Sequence, residues 1–286
     1  MHKIIQKMLE QVTFREEDGH KGTYGHVLVV AGSPGMSGAA YFTAMGALRS
    51  GSGLVSVALP QTLNSVMEVK LSEALTLPLP ETEERTIALD AFDDIAIYSE
   101  RCDALVVGPG LSLHPETEDL VLRVVQELEL PLVLDADGLS AFYNRILSMK
   151  QHAGELIITP HPGEMSNLLD IPLEEVQSSR DDVAKEFAKT YHCVVVLKGH
   201  ETVVASPDGF HYVNDTGNPG MGTGGMGDVL SGMIASLWGQ GLTSFEAATL
   251  GVYLHGRAGD LAVRRRGQLS LLPTDLLEQF GKELWF

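Results

Sequence analysis

The chain has 286 residues, with 20 Lys and Arg residues against 38 Asp and Glu residues, so its formal net charge is −18 at pH 7. This acidity argues against a nucleic-acid-binding surface, which needs basic patches for its phosphate contacts. The apolar fraction of 44% is too high for a disordered acidic chain. A nucleotide ligand is compatible with the charge, because a glycine-rich loop binds phosphate through backbone N–H groups.

No break in composition, linker or internal repeat divides the chain, and we expect one domain over residues 1–286. Cys102 and Cys193 lie beside apolar runs, which indicates buried free thiols in a reducing compartment. We find no secretory signal and no window of about 18 apolar residues. A cytoplasmic protein that does not enter a membrane is therefore expected.

Short runs of Val, Ile and Leu recur along the chain, each followed by a loop of small or polar residues. Such continuous runs are typical of strands that are covered on both faces. The predicted strands are 27–31, 54–59, 104–108, 132–134, 156–159 and 194–198, and a helix over 39–50 follows the first of them. The alternation favours an α/β fold with a mainly parallel sheet, whose ligands bind beyond the carboxyl ends of the strands.

The pattern changes in the last third of the chain. The predicted elements there are a hairpin of segments 201–205 and 210–214 around Pro207-Asp208-Gly209, a helix over 229–238, a helix opened by the capping-box pattern of Thr243 and Glu246 and running to about residue 263, and a last helix capped by Thr274.

Five glycines crowd into the eight residues just before the helix over 229–238, namely Gly220, Gly222, Gly224, Gly225 and Gly227. Such a loop lets a ligand approach the backbone, and the free N–H groups of a helix start suit an oxyanion or a transferring phosphoryl group. Asp228 follows directly. Its carboxylate either accepts the proton of an attacking hydroxyl or is simply favoured by the helix dipole. No Gly-Lys-Ser/Thr follows the glycines, so the loop is not a P-loop.

Polar residues also follow other predicted strands. Lys198 with Gly199 can offer a cation and a close backbone approach to phosphate, or Lys198 is a solvated strand end. His161 stands between two prolines, which restrict the backbone on either side of it. Its side chain either contacts a ligand or makes its hydrogen bonds within the turn. Asp135 and Asp137 suggest either Mg²⁺ held through water or a capped turn.

The sequence of these loops resembles a known family. Gly224-Gly-Met-Gly-Asp228 is similar to the anion-hole signature of the ribokinase-like superfamily, and nearly the whole chain resembles its ADP/ATP-dependent NAD(P)H-hydrate dehydratases. The supporting stretches, in chain order, are 21–26 (KGTYGH), 32–40 (GSPGMSGAA), 107–110 (VGPG), 134–138 (LDADG), 159–164 (TPHPGE), 198–202 (KGHET) and 218–232. One Gly-x-Gly-Asp alone is a weak signal, whereas ordered matches along the chain are specific.

The resemblance implies a ribokinase-like three-layer sandwich, with helices on both faces of a mainly parallel central sheet. It also implies repair of hydrated NADH or NADPH. The hydroxyl added to the nicotinamide ring would be phosphorylated from ADP, with ATP as an alternative donor and Mg²⁺ as cofactor. Elimination of phosphate would then give NAD(P)H, AMP and phosphate. The glycine loop fits this chemistry, because it can stabilise charge in both the transfer and the elimination.

The resemblance also implies roles for individual residues. Asp228 would be the base that activates the substrate hydroxyl, with Gly225 and Gly227 as anion-hole donors. The hydrated nicotinamide nucleotide would contact Ala40, Gly110, His161 and Asp228. The ADP or AMP portion would contact Lys198, Gly199, His200, Glu201, Thr202 and Gly227. Glu164 would lie near the phosphates and Mg²⁺, through water, or would be only a carboxylate in the first turn of a helix.

Two positions depart from the family pattern. Met226 stands where many relatives have Ser or Thr, which removes a hydroxyl contact to phosphate but leaves the backbone donors, and Gly222 replaces a more usual Ala. The resemblance further implies a homotetramer and, since the fused epimerase domain of the family is not present in this sequence, a separate epimerase acting upstream.

Two other functions share parts of this pattern. A kinase of the same superfamily, acting on a small alcohol or vitamin such as hydroxymethylpyrimidine or hydroxyethylthiazole, would use the same loop and Asp228, but it would not account for the 159–164 and 198–202 segments together. A non-catalytic nucleotide sensor would keep the fold and lose the chemistry.

Overall fold

A nine-stranded sheet forms the centre of the protein, in a computed structural model that describes residues 2–285. The sheet order is β3-β2-β1-β4-β5-β6-β7-β8-β9, and β8 and β9 are antiparallel to their neighbours while the other pairs are parallel. The strands are β1 His26–Val30, β2 Leu54–Pro60, β3 Leu75–Leu79, β4 Ala104–Val107, β5 Leu132–Leu134, β6 Leu156–Ile158, β7 Val194–Leu197, β8 Val203–Ala205 and β9 His211–Val213.

The helices complete two outer layers. They are α1 His2–Thr13, α2 Ser37–Arg49, α3 Asn64–Lys70, α4 Phe92–Ser99, α5 Pro115–Glu127, α6 Asp137–Ser140, α7 Pro162–Leu169, α8 Leu173–Ser178, α9 Arg180–Tyr191, α10 Met226–Gly239, α11 Ser244–Arg266, α12 Pro273–Leu277 and α13 Lys282–Trp285. None of the helices in this described part of the chain is long and apolar enough to cross a membrane.

Successive residues of the central strands point into two separate cores. Val27 and Val29 of β1 pack with α2, α10 and α11, whereas Leu28 and Val30 pack with α4, α5, α7 and α9. Both sets are buried, as continuous Val and Leu runs require when helices cover both faces. The predicted three-layer α/β sandwich with a mainly parallel sheet is confirmed.

The six predicted parallel strands are confirmed to within one or two residues, but one strand was not predicted. β3 (Leu75–Leu79) lies at the sheet edge, and four of its five residues are partly or fully exposed. It contains Pro78, which lacks an N–H donor and is tolerated at an edge. An edge strand that is open to solvent therefore lacks the continuous apolar run that identified the buried strands.

The predicted hairpin is confirmed with shorter strands. The first strand begins at Val203, so its prediction from residue 201 is wrong: Glu201 has a φ of +56°, which belongs to a turn. The Pro-Asp-Gly turn is as expected, since the Gly209 N–H donates to the Ser206 carbonyl at 3.1 Å. Cys102 and Cys193 are buried and unpaired, and burial raises the pKa of the Cys102 thiol to about 12.

The starts of α10 and α12 differ from prediction, whereas the predicted start of α11 is confirmed. α10 begins at Met226, three residues earlier than predicted, which places Gly227 and Asp228 inside its first turn. The capping box of α11 is confirmed, because Thr243 Oγ1 accepts the Glu246 N–H at 3.3 Å and the Glu246 carboxylate accepts the Thr243 N–H at 3.1 Å. Thr274 does not cap α12: the helix already begins at Pro273, and the Asp275 carboxylate accepts the N–H of Leu272 instead.

Candidate active site

A cluster of charged side chains lies where the carboxyl ends of β5, β6 and β7 meet the first turn of α10. Lys198, directly after β7, places its Nζ 2.8 Å from Asp135 Oδ1 and 3.8 Å from Glu164 Oε2. The other oxygen of Asp135 accepts a 2.6 Å hydrogen bond from Ser231 Oγ of α10. Adjacent parallel strands thus bring together residues that are far apart in sequence, and these contacts tie the sheet edge to the helix of the glycine loop.

The first turn of α10 begins at a left-handed residue. Gly225 has a φ of +93°, and a Cβ there would lie 2.8 Å from the ring of Phe42, so a side chain is excluded on both grounds. A Cβ built on Gly227 would lie 3.4 Å from Lys198 Nζ, which places this part of the turn beside the lysine. The predicted residues Gly225, Gly227 and Lys198 therefore meet in one place.

Asp228, in the same turn, has a strongly raised pKa. Burial raises its pKa from the ordinary value of 3.8 to about 7; the carboxylates of Asp135, Asp137 and Glu164 add to this increase and Lys198 opposes it. A carboxylate with a pKa near 7 is half ionised at neutral pH, which is the condition that suits a general base. A catalytic role for Asp228 stays a prediction.

Lys198 is not a solvated strand end, the alternative that its sequence position left open. Its side chain is 19% exposed and faces two carboxylates. Burial acts to lower its pKa, but Asp135, Glu164 and Asp228 outweigh burial, so the pKa is raised and the ammonium stays charged. The buried cation therefore holds together a site that is otherwise acidic.

His161 and Glu164 form a capping box at the start of α7. His161 Nδ1 accepts the Glu164 N–H at 3.1 Å, and Glu164 Oε2 accepts the His161 N–H at 2.6 Å. Because Nδ1 is an acceptor, the proton of the neutral ring is on Nε2, and this side chain is 57% exposed. Both residues make the helix-capping contacts that were the alternative to ligand binding. The Nε2 N–H of His161 stays available to donate to a ligand.

Glu164 is nearly buried, and burial raises the pKa of its carboxyl group, with Lys198 acting in the opposite direction. The Asp137 carboxylate does not cap the start of α6; its Oδ2 accepts the N–H of Ser112, in a loop 25 residues earlier in the chain, at 2.9 Å. Burial raises the pKa of Asp137 as well. Among the residues that the structure describes, no three His, Cys, Asp or Glu side chains group closely enough to hold a metal ion alone.

The two remaining residues that are predicted to contact substrate, Ala40 and Gly110, both lie close to the start of α2. Ala40 is in the first turns of α2 and is 1% exposed, with its methyl group beside Gly32. Gly110 has a φ of +67°, and a Cβ on it would lie 2.9 Å from Met36 Cβ, just before α2. Both positions therefore allow the chain to pack closely where β1, β4 and α2 meet, and a contact of either with substrate stays a prediction.

The segment from Lys198 to Thr202 leaves β7 as an irregular loop. Gly199 has a φ of +140° and Glu201 a φ of +56°. Thr202 Oγ1 donates to the Gly199 carbonyl at 2.9 Å, and the Asn214 N–H donates to the Thr202 carbonyl at 2.9 Å. These bonds hold the predicted nucleotide loop against the hairpin that follows it.

The approach to the glycine cluster is held by Asp260 of α11. Its two carboxylate oxygens accept the Gly217 N–H at 2.9 Å and the Asn218 side-chain amide at 2.9 Å. The Met226 side chain packs in the core, and its carbonyl accepts the Nε2 proton of His255 at 2.9 Å. Sequence reasoning missed Asp260, which stands in no glycine-rich or strand-end motif, and assigned no role to Ser231, although it lies within the 218–232 stretch.

Comparisons with known proteins identify the family of the chain. The family model for NAD(P)H-hydrate dehydratase matches residues 27–282. A bifunctional NAD(P)H-hydrate repair enzyme of Moorella thermoacetica is 46% identical over 268 residues, which are 94% of this chain and 51% of that protein. An ADP-dependent (S)-NAD(P)H-hydrate dehydratase of Neisseria meningitidis is 39% identical over 256 residues, covering 88% of this chain and 82% of that protein.

Solved structures show the same fold. An ADP/ATP-dependent NAD(P)H-hydrate dehydratase from Bacillus subtilis, co-crystallised with ATP/Mg²⁺, superposes with a TM-score of 0.83 at 33% identity, covering 97% of this chain and 96% of that one. A hydroxyethylthiazole kinase from Pyrococcus horikoshii superposes with a TM-score of 0.65 at 16% identity, which shows a common fold alone. The chain spans about half the length of its bifunctional relatives. On the match of the family model and of these relatives, the chain belongs to the NAD(P)H-hydrate dehydratase family.

Proposed function

We propose that this protein is an ADP-dependent (S)-NAD(P)H-hydrate dehydratase. The observation that carries the proposal is the Asp228 carboxylate, which lies in the first turn of α10 with a pKa of about 7, beside the buried cation Lys198. A base at the start of a helix stands next to N–H groups that stabilise a transferring phosphoryl group. The site thereby combines proton acceptance and anion stabilisation.

The reaction balances in two steps. The hydroxyl oxygen on the hydrated nicotinamide ring attacks the β-phosphorus of ADP, its proton passes to Asp228, and the bond from that phosphorus to AMP breaks. The ring C–O bond, now part of a phosphate ester, then breaks with the electron pair leaving on the phosphate oxygen, and loss of a proton from the adjacent ring carbon restores the double bond. In this proposal Gly225 and Gly227 stabilise charge on the phosphoryl oxygens in both steps.

We assign the two ligands to opposite sides of Asp228. His161 offers its exposed Nε2 donor to the hydrated nucleotide, and Ala40 and Gly110 form the substrate side near α2. ADP lies along the loop after β7, where it contacts Lys198, Gly199, His200, Glu201, Thr202 and Gly227. The ADP preference rests on the names of relatives, and ATP in place of ADP is the comparison to make in the assay.

Mg²⁺ is part of the proposal. A nucleotide-bound Mg²⁺ takes one or two carboxylates and keeps phosphate oxygens and waters as its other ligands, so it does not need a three-residue cluster. Glu164 supplies a nearly buried oxygen donor beside Lys198, and it would hold the ion through water. When bound, the ion neutralises charge on the phosphates.

The test is direct. Incubation of the protein with hydrated NADH, Mg²⁺ and ADP should restore the absorbance of NADH, with release of AMP and phosphate in equal amounts. Absence of recovery with both ADP and ATP would overturn the proposal. A stable phosphorylated alcohol as the product would instead favour a kinase of the same fold.

Assembly, location and supply of substrate complete the proposal. We propose that the protein forms a homotetramer, which light scattering can measure. We also propose that it is located in the cytoplasm. We also propose that an epimerase supplies the (S) epimer, since the relatives that this chain matches over about half their length are bifunctional.

A further inference from the structure

Arg180, the first residue of α9, makes an unusual set of contacts with the loop after β7. Its Nη2 donates to the Leu197 carbonyl at 2.8 Å and to the Lys198 carbonyl at 3.2 Å, and its Nη1 donates to the His200 carbonyl. Thr202 Oγ1 donates a hydrogen bond to the intervening carbonyl, that of Gly199. Four consecutive carbonyls, from residue 197 to residue 200, are therefore bonded by two side chains, and three of them by one guanidinium group.

These bonds set the direction of the amide groups. In a trans peptide the C=O of one residue and the N–H of the next point to opposite sides, and no cis peptide occurs in the described chain. The N–H groups of Gly199, His200 and Glu201 consequently point away from the donors that hold the carbonyls. The preceding N–H, that of Lys198, is already bonded to the Pro160 carbonyl at 2.8 Å. The N–H groups of Gly199 and Glu201 therefore lie on the side of the loop opposite the guanidinium, and that of His200 points away from Thr202 Oγ1.

Positive φ values at Gly199 and Glu201 make this direction possible. Successive N–H groups of a turning backbone can form an anion-binding concavity. The guanidinium also lies flat against Gly199, because a Cβ built there would be 3.1 Å from Arg180 Nη2 and 3.2 Å from its Cζ. A side chain at residue 199 would displace the guanidinium, so the glycine and the arginine depend on each other.

We propose that Arg180 is a positioning residue for ADP: it holds the carbonyls of the loop away from the nucleotide and so presents the amides of residues 199–201 to a phosphate. The proposal rests on the proposed function, in which this loop binds ADP. A lysine cannot replace the arginine, since an ammonium is a point donor while the planar guanidinium reaches several carbonyls in a fixed arrangement.

The experiment compares Arg180→Met and Arg180→Lys with the native protein. The control is Arg123→Met, which removes a half-exposed guanidinium paired with Glu127 at 2.9 Å on α5. ADP affinity is measured by titration calorimetry, and kcat and both KM values by recovery of NADH. Since hydrogen bonds to charged groups are individually strong, we expect the Kd and KM for ADP to rise about tenfold or more in both Arg180 variants. The KM for hydrated NADH, kcat and all values of the control should stay within about twofold.

A rescue arm separates positioning from loss of folding. Millimolar guanidinium should lower the KM for ADP of Arg180→Met, and ammonium should not. An unchanged KM for ADP in either folded Arg180 variant, or an equal rise in both KM values, overturns the inference. If the native protein binds ADP but does not act on hydrated NADH, the proposed function fails, while the calorimetric comparison still decides the role of Arg180.

Discussion

Replacing Asp228 with Asn should abolish turnover and at the same time stabilise the fold at alkaline pH. Asn keeps the shape of the side chain but cannot accept a proton, and loss of a general base costs about 10²- to 10⁴-fold in rate. Binding of ADP should persist, because the loop after β7 is untouched. A protein that was only a nucleotide sensor would show no activity to lose.

The effect on stability follows from the pKa of Asp228. Its carboxyl group changes from an ordinary pKa of 3.8 to about 7 in the folded protein, chiefly through burial. Between these two values the folded state binds more protons than the unfolded state, so the free energy of unfolding decreases as the pH rises. Each pKa unit corresponds to about 1.4 kcal/mol, and a change of about three units therefore costs the native protein about 4 kcal/mol above pH 7.

The Asn variant does not ionise and escapes this cost. Its melting temperature should equal that of the native protein near pH 4 and exceed it by about 4 to 8 °C at pH 8. Thermal unfolding is measured across this range, with Asp119→Asn as the control, since that carboxylate is 54% exposed and pairs with Arg145 at the surface. Retained turnover, or a melting temperature at pH 8 below that of the native protein, would refute the reasoning.

Three further substitutions test the contacts around this residue. Asp135→Asn removes a negative charge and frees Lys198 from its 2.8 Å ion pair, so the acid limb of the kcat/KM profile should move down by about one pH unit or more. Gly227→Val should abolish turnover, because a Cβ there would lie 3.4 Å from Lys198 Nζ and the rest of the side chain would extend into the site. Since a Cβ at that distance is in ordinary contact, the melting temperature should decrease by only about 2 to 4 °C. Ser231→Ala removes the 2.6 Å hydrogen bond to a buried carboxylate and should lower the free energy of unfolding by about 1.5 to 3 kcal/mol in urea titrations. Thr249→Val is its control, since that buried hydroxyl has no partner within residues 2–285.

Each of these has an outcome that counts against it. An acid limb that stays in place or moves to higher pH would mean that Asp135 does not act on the base. Turnover of the valine variant would place the anion hole elsewhere. A Ser231→Ala variant as stable as the Thr249→Val control would show that the bond to Asp135 contributes nothing to folding.

Much of the site could be predicted because its loops carry local signals. Glycines that precede an apolar helix indicate a phosphate-binding turn, and Asp228 directly follows them. Lys198 and His161 likewise stand next to glycine or proline residues at strand ends. The structure brings Lys198 and Glu164 to within 3.8 Å of each other. Arg180 gave no such signal, because it opens an ordinary helix and reaches the loop only through the packing of α9 beside β7.

The amino-acid sequence by itself determined the layers of this protein and the loops that hold its chemistry. Burial on both faces requires continuous apolar strands, and close backbone approach requires glycine, so both leave local patterns. Only the tertiary structure decided which charges meet. Asp135 and Lys198 are 63 residues apart and pair because β6 alone separates β5 from β7 in the sheet. The pKa of Asp228 is likewise a property of burial and of neighbours from three other segments, and no local pattern records these.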